Sequence, residues 1–127
     1  MTSSMAMPIL IVDDYNTMVR IVRNLLRQLG FTNIDEANDG GAALEKMRLR
    51  DYALVISDAR MAPMSGAELL ARMRAEERTK ATPFVLMADN AAEGAEVQAQ
   101  SGADGFILKP FTSSALKQKL EPVIGPF

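Results

Sequence analysis

Charged side chains follow three of the apolar segments in this sequence, at the point where each segment ends. Asp13 and Asp14 follow the first apolar segment, Asp58 follows another, and Lys109 follows the last one. If these segments are parallel strands, their carboxyl ends meet at one edge of a sheet, and the charged groups share one crevice. An aspartate carboxylate can take up a phosphoryl group covalently, and this transfer needs mainly positioning and charge stabilisation. The arrangement therefore predicts a phosphoryl-transfer site.

The amino-acid composition restricts which groups can assist this chemistry. The 127-residue chain has neither histidine nor cysteine, so imidazole and thiolate groups are excluded as bases, nucleophiles or metal ligands. Clustered carboxylates repel one another, and a hard divalent cation with oxygen ligands would relieve that repulsion. Mg²⁺ commonly binds one or two carboxylates together with phosphate and water. We therefore expect Mg²⁺ as the cofactor, with the Lys109 ammonium neutralising another phosphoryl oxygen.

Each of these residues alone has an ordinary structural explanation. An aspartate after a strand commonly forms a turn or caps a helix, and a Lys-Pro pair is commonly just part of a loop. Their joint placement at successive strand ends arises much less often by chance. The complete set therefore favours a functional site, although no single member does.

Short apolar runs alternate with longer amphipathic stretches along the chain. The runs predict buried strands, and apolar residues spaced three and four apart predict helices between them. The predicted strands span residues 8–12, 33–37, 53–57, 84–87 and 105–108. Gly30 should end the first helix, and Asp39, Ser65 and Thr112 should cap later ones. The fourth helix should span 91–100, with Val97 as its only large apolar residue.

Strand–helix units of this kind imply an α/β fold, with a parallel sheet covered by helices on both faces. We expect one domain over residues 8–124, preceded by a disordered extension at 1–7 and followed by a tail at 125–127. The net charge of −2, with both signs spread along the chain, disfavours nucleic-acid binding. We expect no signal peptide, and no apolar segment approaches the length of about 20 residues that a membrane span needs. A soluble cytoplasmic protein without membrane contact is expected.

The segments around the charged residues resemble the motifs of two-component response-regulator receiver domains. The matching segments are Ile-Leu-Ile-Val-Asp-Asp at 9–14, Leu-Val-Ile-Ser-Asp at 54–58, Met-Ser-Gly at 64–66 and Lys-Pro-Phe at 109–111. The spacing and the Lys-Pro-Phe-Thr ending are similar to stand-alone receivers of the chemotaxis CheY type, over about residues 8–124. The resemblance implies a flavodoxin-like fold with five parallel strands in the order 2-1-3-4-5.

The resemblance also implies a role for each charged residue. Asp58 would be the phospho-acceptor, Asp14 a direct Mg²⁺ ligand, and Asp13 a ligand acting through metal-bound water. The backbone carbonyl of Arg60 would be a further ligand. Lys109 would contact the phosphoryl group and precede a cis peptide bond to the following proline. A histidine kinase would donate the phosphoryl group, and an output protein would bind the face formed by the fourth helix, fifth strand and fifth helix.

The sequence departs from the family pattern in the region that normally responds to phosphorylation. Ala88 stands where the family usually has a threonine or serine, whose hydroxyl bonds the phosphoryl group. Phe106 stands at the switch aromatic position and lacks a hydroxyl, so burial in the core is an equal interpretation. Ala62 replaces the usual proline, with Pro63 one place later. Pro122 should end or kink the last helix. Phosphorylation chemistry is expected to persist while the switch is altered.

Several functions remain open from the sequence. The first is a stand-alone response regulator that acts in chemotaxis, in a phosphorelay or as a phosphate sink. Such a protein is not an enzyme beyond its own phosphorylation and dephosphorylation. The alternative is a receiver-like module that binds partners without phosphorylation, which Ala88 favours. A metal-dependent aspartyl phosphatase fits less well, since that class usually has two aspartates one residue apart after the first strand, whereas Asp13 and Asp14 are adjacent. A flavin-binding flavodoxin also fits less well, since no hydroxyl-rich phosphate loop follows the first strand.

Overall fold

The computed structural model describes residues 5–127 and contains one parallel sheet flanked by helices. The strands are β1 (Ile9–Val12), β2 (Ile34–Ala37), β3 (Leu54–Asp58), β4 (Phe84–Ala88) and β5 (Gly105–Leu108). The helices are α1 (Asn16–Gln28), α2 (Gly40–Leu49), α3 (Gly66–Arg74), α4 (Ala91–Ser101) and α5 (Ser113–Ile124). The sheet order β2-β1-β3-β4-β5 confirms the predicted α/β, flavodoxin-like fold. Within residues 5–127, no helix is long and apolar enough to cross a membrane.

Alternate residues of the central strands fill two apolar cores, one on each face of the sheet. In β1, which is completely buried, Leu10 and Val12 belong to the core that also contains residues of α2 and α3. Ile9 and Ile11 belong to the opposite core, with residues of α1 and α5. Burial of a large aliphatic side chain contributes about 1.5–3 kcal/mol. Because both faces are covered, the central strands are apolar at nearly every position, which is the pattern that made them predictable.

Polar side chains at the helix starts fix where four helices begin. Each accepts a hydrogen bond from the backbone N–H three residues later: Asp39 from Ala42 at 2.7 Å, Ser65 from Glu68 at 3.1 Å, Asn90 from Glu93 at 2.8 Å and Thr112 from Ala115 at 3.1 Å. Such a cap stabilises a helix by about 1 kcal/mol. The caps predicted at Asp39, Ser65 and Thr112 are confirmed, and the cap at Asn90 is an addition.

The last helix does not end at Pro122, since α5 continues through it to Ile124. The alternative, a kink at Pro122, remains a prediction. A proline lacks the N–H that would bond the carbonyl four residues earlier, here that of Gln118. Both residues are exposed, so water can satisfy this carbonyl. Val123 and Ile124 pack against the core shared with α1, which holds the final turn in place.

The first described residues contact the connection between α1 and β2. Residues 1–4 of the extension predicted at 1–7 lie outside the described residues. The carbonyl of Met5 accepts a hydrogen bond from the backbone N–H of Thr32 at 3.1 Å, and the next carbonyl accepts one from the Asn33 side chain at 2.9 Å. The Met5 side chain also packs against the core. The predicted boundaries of the extension and of the domain remain predictions.

Candidate functional site

The pairing of β1 with β3 brings the acidic side chains together. Val12 lies opposite Ser57 in this pairing, so Asp13 and Asp58 continue the two strands side by side. Asp14 follows, and one carboxylate oxygen from each of the three aspartates lies within 4.8 Å of the others. The sequence prediction that these carboxylates share one crevice agrees with this geometry.

Asp13 is the member of this cluster whose environment is hardest to reconcile with a free carboxylate. It is only 1% exposed. Its Oδ1 accepts a hydrogen bond from the backbone N–H of Tyr15 at 3.0 Å, whereas Oδ2 is buried without a hydrogen-bond partner among the described residues. Burial, together with the negative charge of Asp58, raises the pKa of Asp13 to about 6, although the Tyr15 hydrogen bond opposes the rise. An unpartnered buried carboxylate oxygen beside two further carboxylates fits a hard divalent cation.

Asp58 and Lys109 form the ion pair at the centre of the site. Lys109 Nζ donates to Asp58 Oδ1 at 2.7 Å, and the Asp58 carboxylate is almost fully buried. Burial raises the pKa of Asp58, and the Lys109 hydrogen bond only partly offsets this effect. For Lys109, burial works to lower the pKa, but the hydrogen bond and charge of Asp58 outweigh it and the pKa is raised. The peptide bond between Lys109 and Pro110 is cis, as predicted.

The loop after β3 is held close to the cluster by backbone contacts. The exposed Asp14 accepts a hydrogen bond from the N–H of Ala62 through Oδ2, at 3.3 Å. At the start of α3, a Cβ atom on Gly66 would lie 2.4 Å from the backbone oxygen of Asp58, so only glycine allows this approach. The loop also contains a cis bond between Ala62 and Pro63, at the place where the sequence departs from the family pattern.

Two residues of this loop make contacts outside the acidic cluster. The backbone N–H of Ala59 donates to the carbonyl of Met87 at 2.9 Å, so it is engaged in the sheet. The Arg60 side chain turns outward to an ion pair with Glu93 of α4. The role of the Arg60 carbonyl as a metal ligand remains a prediction.

The region around Ala88 contains packing where the family pattern has a hydroxyl. Ala88 is buried at the end of β4, and its carbonyl accepts a hydrogen bond from the Lys109 backbone N–H at 2.9 Å. Phe106 is half-buried, with its ring against Gly94 of α4. A Cβ atom on residue 94 would lie 2.3 Å from Phe106 Cδ2, so the helix depends on glycine for this approach. Phe106 therefore packs partly into the core, which lies between its two interpretations as a switch aromatic and as a buried core residue.

Two charged contacts in this region were missed in the sequence analysis. The Glu93 carboxylate, 12% exposed, pairs with the 74% exposed Arg60 side chain and links α4 to the loop after β3. Asp89 lies with its Oδ1 at 3.4 Å from Lys109 Nζ. The spacing of Asn90 and Glu93 matches a capping box, which would have indicated the helix start. No sequence signal indicates either ion pair, because both join residues that are distant in the chain.

An apolar groove lies beside this region on the outer surface of the sheet edge. Its lining includes Ala91, Phe106, Leu108, Phe111 and Lys119. Leu108 is 40% exposed, and the Lys119 ammonium lies 5.3 Å from the centre of the Phe106 ring. The groove lies on the face formed by α4, β5 and α5, where the sequence analysis placed an output partner.

Comparison with known proteins agrees with the fold. Residues 9–121 match the family of the response regulator receiver domain. The chain is 45% identical over 118 residues to the chemotaxis protein CheY-3 of Vibrio cholerae, covering 92% of this chain and 91% of that protein. It is 43% identical over 118 residues to the chemotaxis protein CheY of Pseudomonas aeruginosa, covering 92% and 95%.

A solved structure also has a similar fold. It is the receiver domain of the sensor histidine kinase PA1611 from Pseudomonas aeruginosa PAO1, with a TM-score of 0.85 and 26% sequence identity. The match covers 94% of this chain and 98% of that chain, and a magnesium ion is coordinated in that protein's active-site cleft. The fold and the acidic cleft define a signalling domain of the two-component class. The chain belongs to the response regulator receiver family.

Proposed function

We propose that this protein is a response regulator that accepts a phosphoryl group from a histidine kinase on Asp58, in a reaction that depends on Mg²⁺. The observation that carries the proposal is the contact between Asp58 and the Lys109 ammonium, beside the unpartnered carboxylate oxygen of Asp13. Asp14 and Asp58 would hold the cation directly, Asp13 would act through its water, and the Arg60 carbonyl would be a further ligand. A bound cation would supply positive charge that offsets the phosphoryl oxygens.

The protein's own groups have separate tasks in this reaction. The Asp58 carboxylate must be ionised to attack phosphorus, and Lys109 favours that form by its hydrogen bond and charge. As the new oxygen–phosphorus bond forms, the bond from phosphorus to the donor nitrogen breaks. The Lys109 ammonium has three N–H donors and can donate a hydrogen bond from one of them to a phosphoryl oxygen. Burial of Asp58 limits the access of water to the product.

Labelling with acetyl phosphate and Mg²⁺ tests the acceptor directly. We expect the protein to gain the mass of one phosphoryl group, and Asp58→Asn to gain none. Asp51→Asn is a matched control, since Asp51 is an exposed aspartate paired with Arg78 outside the cleft. Stoichiometric labelling of Asp58→Asn would show that the acceptor is another residue.

Thermal unfolding with and without Mg²⁺ tests the cation. Binding to the native state alone stabilises it, so the midpoint should rise with Mg²⁺ concentration. Asp14→Ala should remove this rise because it deletes a carboxylate of the cluster that is proposed to hold the cation directly. An equal rise in the variant would place the cation elsewhere.

The output is proposed to be protein–protein contact in the cytoplasm, which the similarity to CheY-type chemotaxis proteins supports. The apolar groove next to Leu108 and Phe111 supports the face of α4, β5 and α5 as the partner site. The similarity to chemotaxis proteins favours chemotaxis over a relay or a phosphate sink. No turnover of external substrates is proposed.

A second function, binding that does not depend on phosphorylation, is supported by one observation. Ala88 removes the hydroxyl that would couple a phosphoryl group to the switch region, and α4 is already held by Glu93 and Gly94. Beryllofluoride, which imitates a phosphoryl group on an aspartate, separates the two functions. If partner affinity is unchanged by beryllofluoride while Mg²⁺ binds normally, the second function is correct.

A further inference from the structure

The Lys109 ammonium is shared between two carboxylates, and only one of them belongs to the acidic cluster. Its Nζ lies 2.7 Å from Asp58 Oδ1 and 3.4 Å from Asp89 Oδ1. The Asp58 side chain is 7% exposed, whereas that of Asp89 is 56% exposed. The two carboxylates therefore differ in position: one lies at the bottom of the cleft and the other at its solvent side.

The end of β4 fixes Asp89 in this position. The carbonyl of Ala88, the preceding residue, accepts the backbone N–H of Lys109 at 2.9 Å. The start of α4 follows at once, with the Asn90 side chain as its cap. Asp89 is thus held between an anchored strand end and a capped helix, next to the side chain of Lys109.

Asp89 is not one of the groups placed to hold the cation. Among residues 5–127, the carboxylates that converge within 4.8 Å are those of Asp13, Asp14 and Asp58. The negative charge of Asp89 nevertheless acts close to the acceptor, because its Oδ1 lies 3.4 Å from the same Lys109 Nζ that contacts Asp58 Oδ1 at 2.7 Å. A fourth negative charge therefore acts on the cleft from the side of Lys109.

We propose that Asp89 selects among phosphoryl donors by charge. Its carboxylate attracts the Lys109 ammonium and repels anionic small-molecule donors at the mouth of the cleft. This proposal rests on the proposed function, since it concerns the rate at which Asp58 is phosphorylated. Acetyl phosphate brings nearly two negative charges to the cleft. In the reaction the Asp58 oxygen bonds to phosphorus, the phosphorus–oxygen bond to acetate breaks, and acetate leaves with the electron pair.

A donor with less negative charge should be affected less. Phosphoramidate carries a proton on its nitrogen near neutral pH, so its net negative charge is smaller. In its reaction the phosphorus–nitrogen bond breaks and ammonia leaves. The ratio of the two phosphorylation rates therefore measures the charge at the mouth of the cleft. A purely structural role of Asp89 would change both rates alike.

The decisive experiment compares Asp89→Asn with the native protein, using both donors, saturating Mg²⁺, and low and high salt. Asparagine keeps the size of the side chain and one oxygen acceptor, removes the charge and replaces the second oxygen by an NH2 group. We expect the rate with acetyl phosphate to rise about three- to tenfold at low salt, the size expected for one charge interaction at a partly solvated site. The rise should be smaller with phosphoramidate, and it should shrink at high salt because exposed charges are screened.

Two further variants control for other causes. Asp89→Glu keeps the charge and should return the rates towards those of the native protein. Asp51→Asn changes the net charge equally, but its side chain pairs with Arg78 and does not contact Lys109, so its rates should not change. Equal rates for Asp89→Asn and the native protein, or an equal rise with both donors at every salt concentration, would overturn the proposal. Failure of all variants to react with either donor would instead overturn the proposed function and this inference with it.

Discussion

Two regions meet at the same edge of the sheet and are built in different ways. The acid cluster, Asp13, Asp14 and Asp58, is placed by the ends of β1 and β3, and its members repel one another unless a cation binds. The region around α4 is placed by contacts of Glu93 and Gly94, and its members attract or fit one another without a ligand. The first region is complete only with a ligand, whereas the second is already satisfied.

Under the proposed function, this difference means that acceptance of a phosphoryl group and the response to it would depend on separate elements. The groups that would react lie at strand ends, which the sheet fixes regardless of α4. The proposed response would require α4 and Phe106 to move, and here both are held by packing and an ion pair. A ligand shifts an equilibrium only by the difference between its contacts in the two states. Sequence changes near α4 can therefore alter the response without altering the chemistry.

The largest expected effect is the loss in the free energy of unfolding that results from keeping Asp13 ionised in the acid cluster without a cation. Burial raises the pKa of Asp13 from 3.8 to about 6, so the folded state holds its proton more tightly than the unfolded state. The stability associated with the protonated form is present below about pH 4 and is lost as the pH rises through about 6. The loss corresponds to about 3 kcal/mol at neutral pH.

Asp13→Asn removes this titration and is expected to be more stable than the native protein by about that amount at pH 7 in EDTA. The difference should vanish near pH 3.5, where the native Asp13 is protonated in both states. Urea unfolding at both pH values measures it. Saturating Mg²⁺ should reduce the advantage of the variant at pH 7. An advantage that does not depend on pH would mean that the carboxylate is not the cause.

The next effect concerns the packing of α4. In Gly94→Ala the new Cβ atom would overlap the ring of Phe106, whose Cδ2 and Cε2 atoms lie 2.3 and 2.5 Å from its position. Overpacking costs about 1–3 kcal/mol, which equals or exceeds the gain of about 1 kcal/mol from replacing a helical glycine by alanine. We therefore expect a net loss of up to about 2 kcal/mol in the free energy of unfolding.

Gly41→Ala in α2 is the matched control for this variant. Its Cβ atom would meet only the Asp39 carboxylate, at 3.4 Å, so the helix-propensity gain should remain. The additional change Phe106→Ala should restore much of the stability of Gly94→Ala relative to Phe106→Ala alone. Denaturant titration of this double-mutant cycle measures the coupling. Absence of coupling would show that α4 does not depend on this contact.

The smallest effect concerns the missing hydroxyl. Ala88→Thr adds a donor near the acceptor, and its hydrogen bond to a phosphoryl group would contribute about 1–3 kcal/mol at most. We expect beryllofluoride to shift the NMR signals of α4 and Phe106 more in this variant than in the native protein. Ala88→Val is the control, since it has the same branched shape without the hydroxyl. Equal shifts in the threonine and valine variants would show that shape, not the hydrogen bond, changes the response.

The comparison also explains how much could be predicted from the sequence. Asp13, Asp58 and Lys109 were placed correctly because apolar runs locate strand ends, and the register of a parallel sheet then fixes which ends meet. The contact of Lys109 with Asp58 follows from that geometry. The roles of these residues in phosphorylation remain predictions.

The parts that could not be predicted depend on tertiary contacts of single side chains. The contact of Gly94 with Phe106 joins a helix to a strand, and glycine in a helical sequence indicates only low propensity. Pro122 was predicted to end or kink the last helix, and it does not end it, because the exposure of the affected carbonyl cannot be known before the helix is placed on the sheet. Local rules identified the elements, whereas their contacts required the structure.

The two described ends of the chain meet at one place. Met5 bonds to Thr32 in the loop between α1 and β2, and the ring of Phe127 packs edge-on against Phe31, with ring centres 4.9 Å apart. A short linker could therefore connect Met5 to Phe127, and new ends could be opened elsewhere in the chain, since circular permutation tolerates neighbouring termini. Because this junction adjoins the start of β1, whereas the cleft lies beyond its carboxyl end, a permuted chain would keep its reactive groups clear of the splice. A reporter inserted there would be carried on the side of the sheet remote from the acceptor.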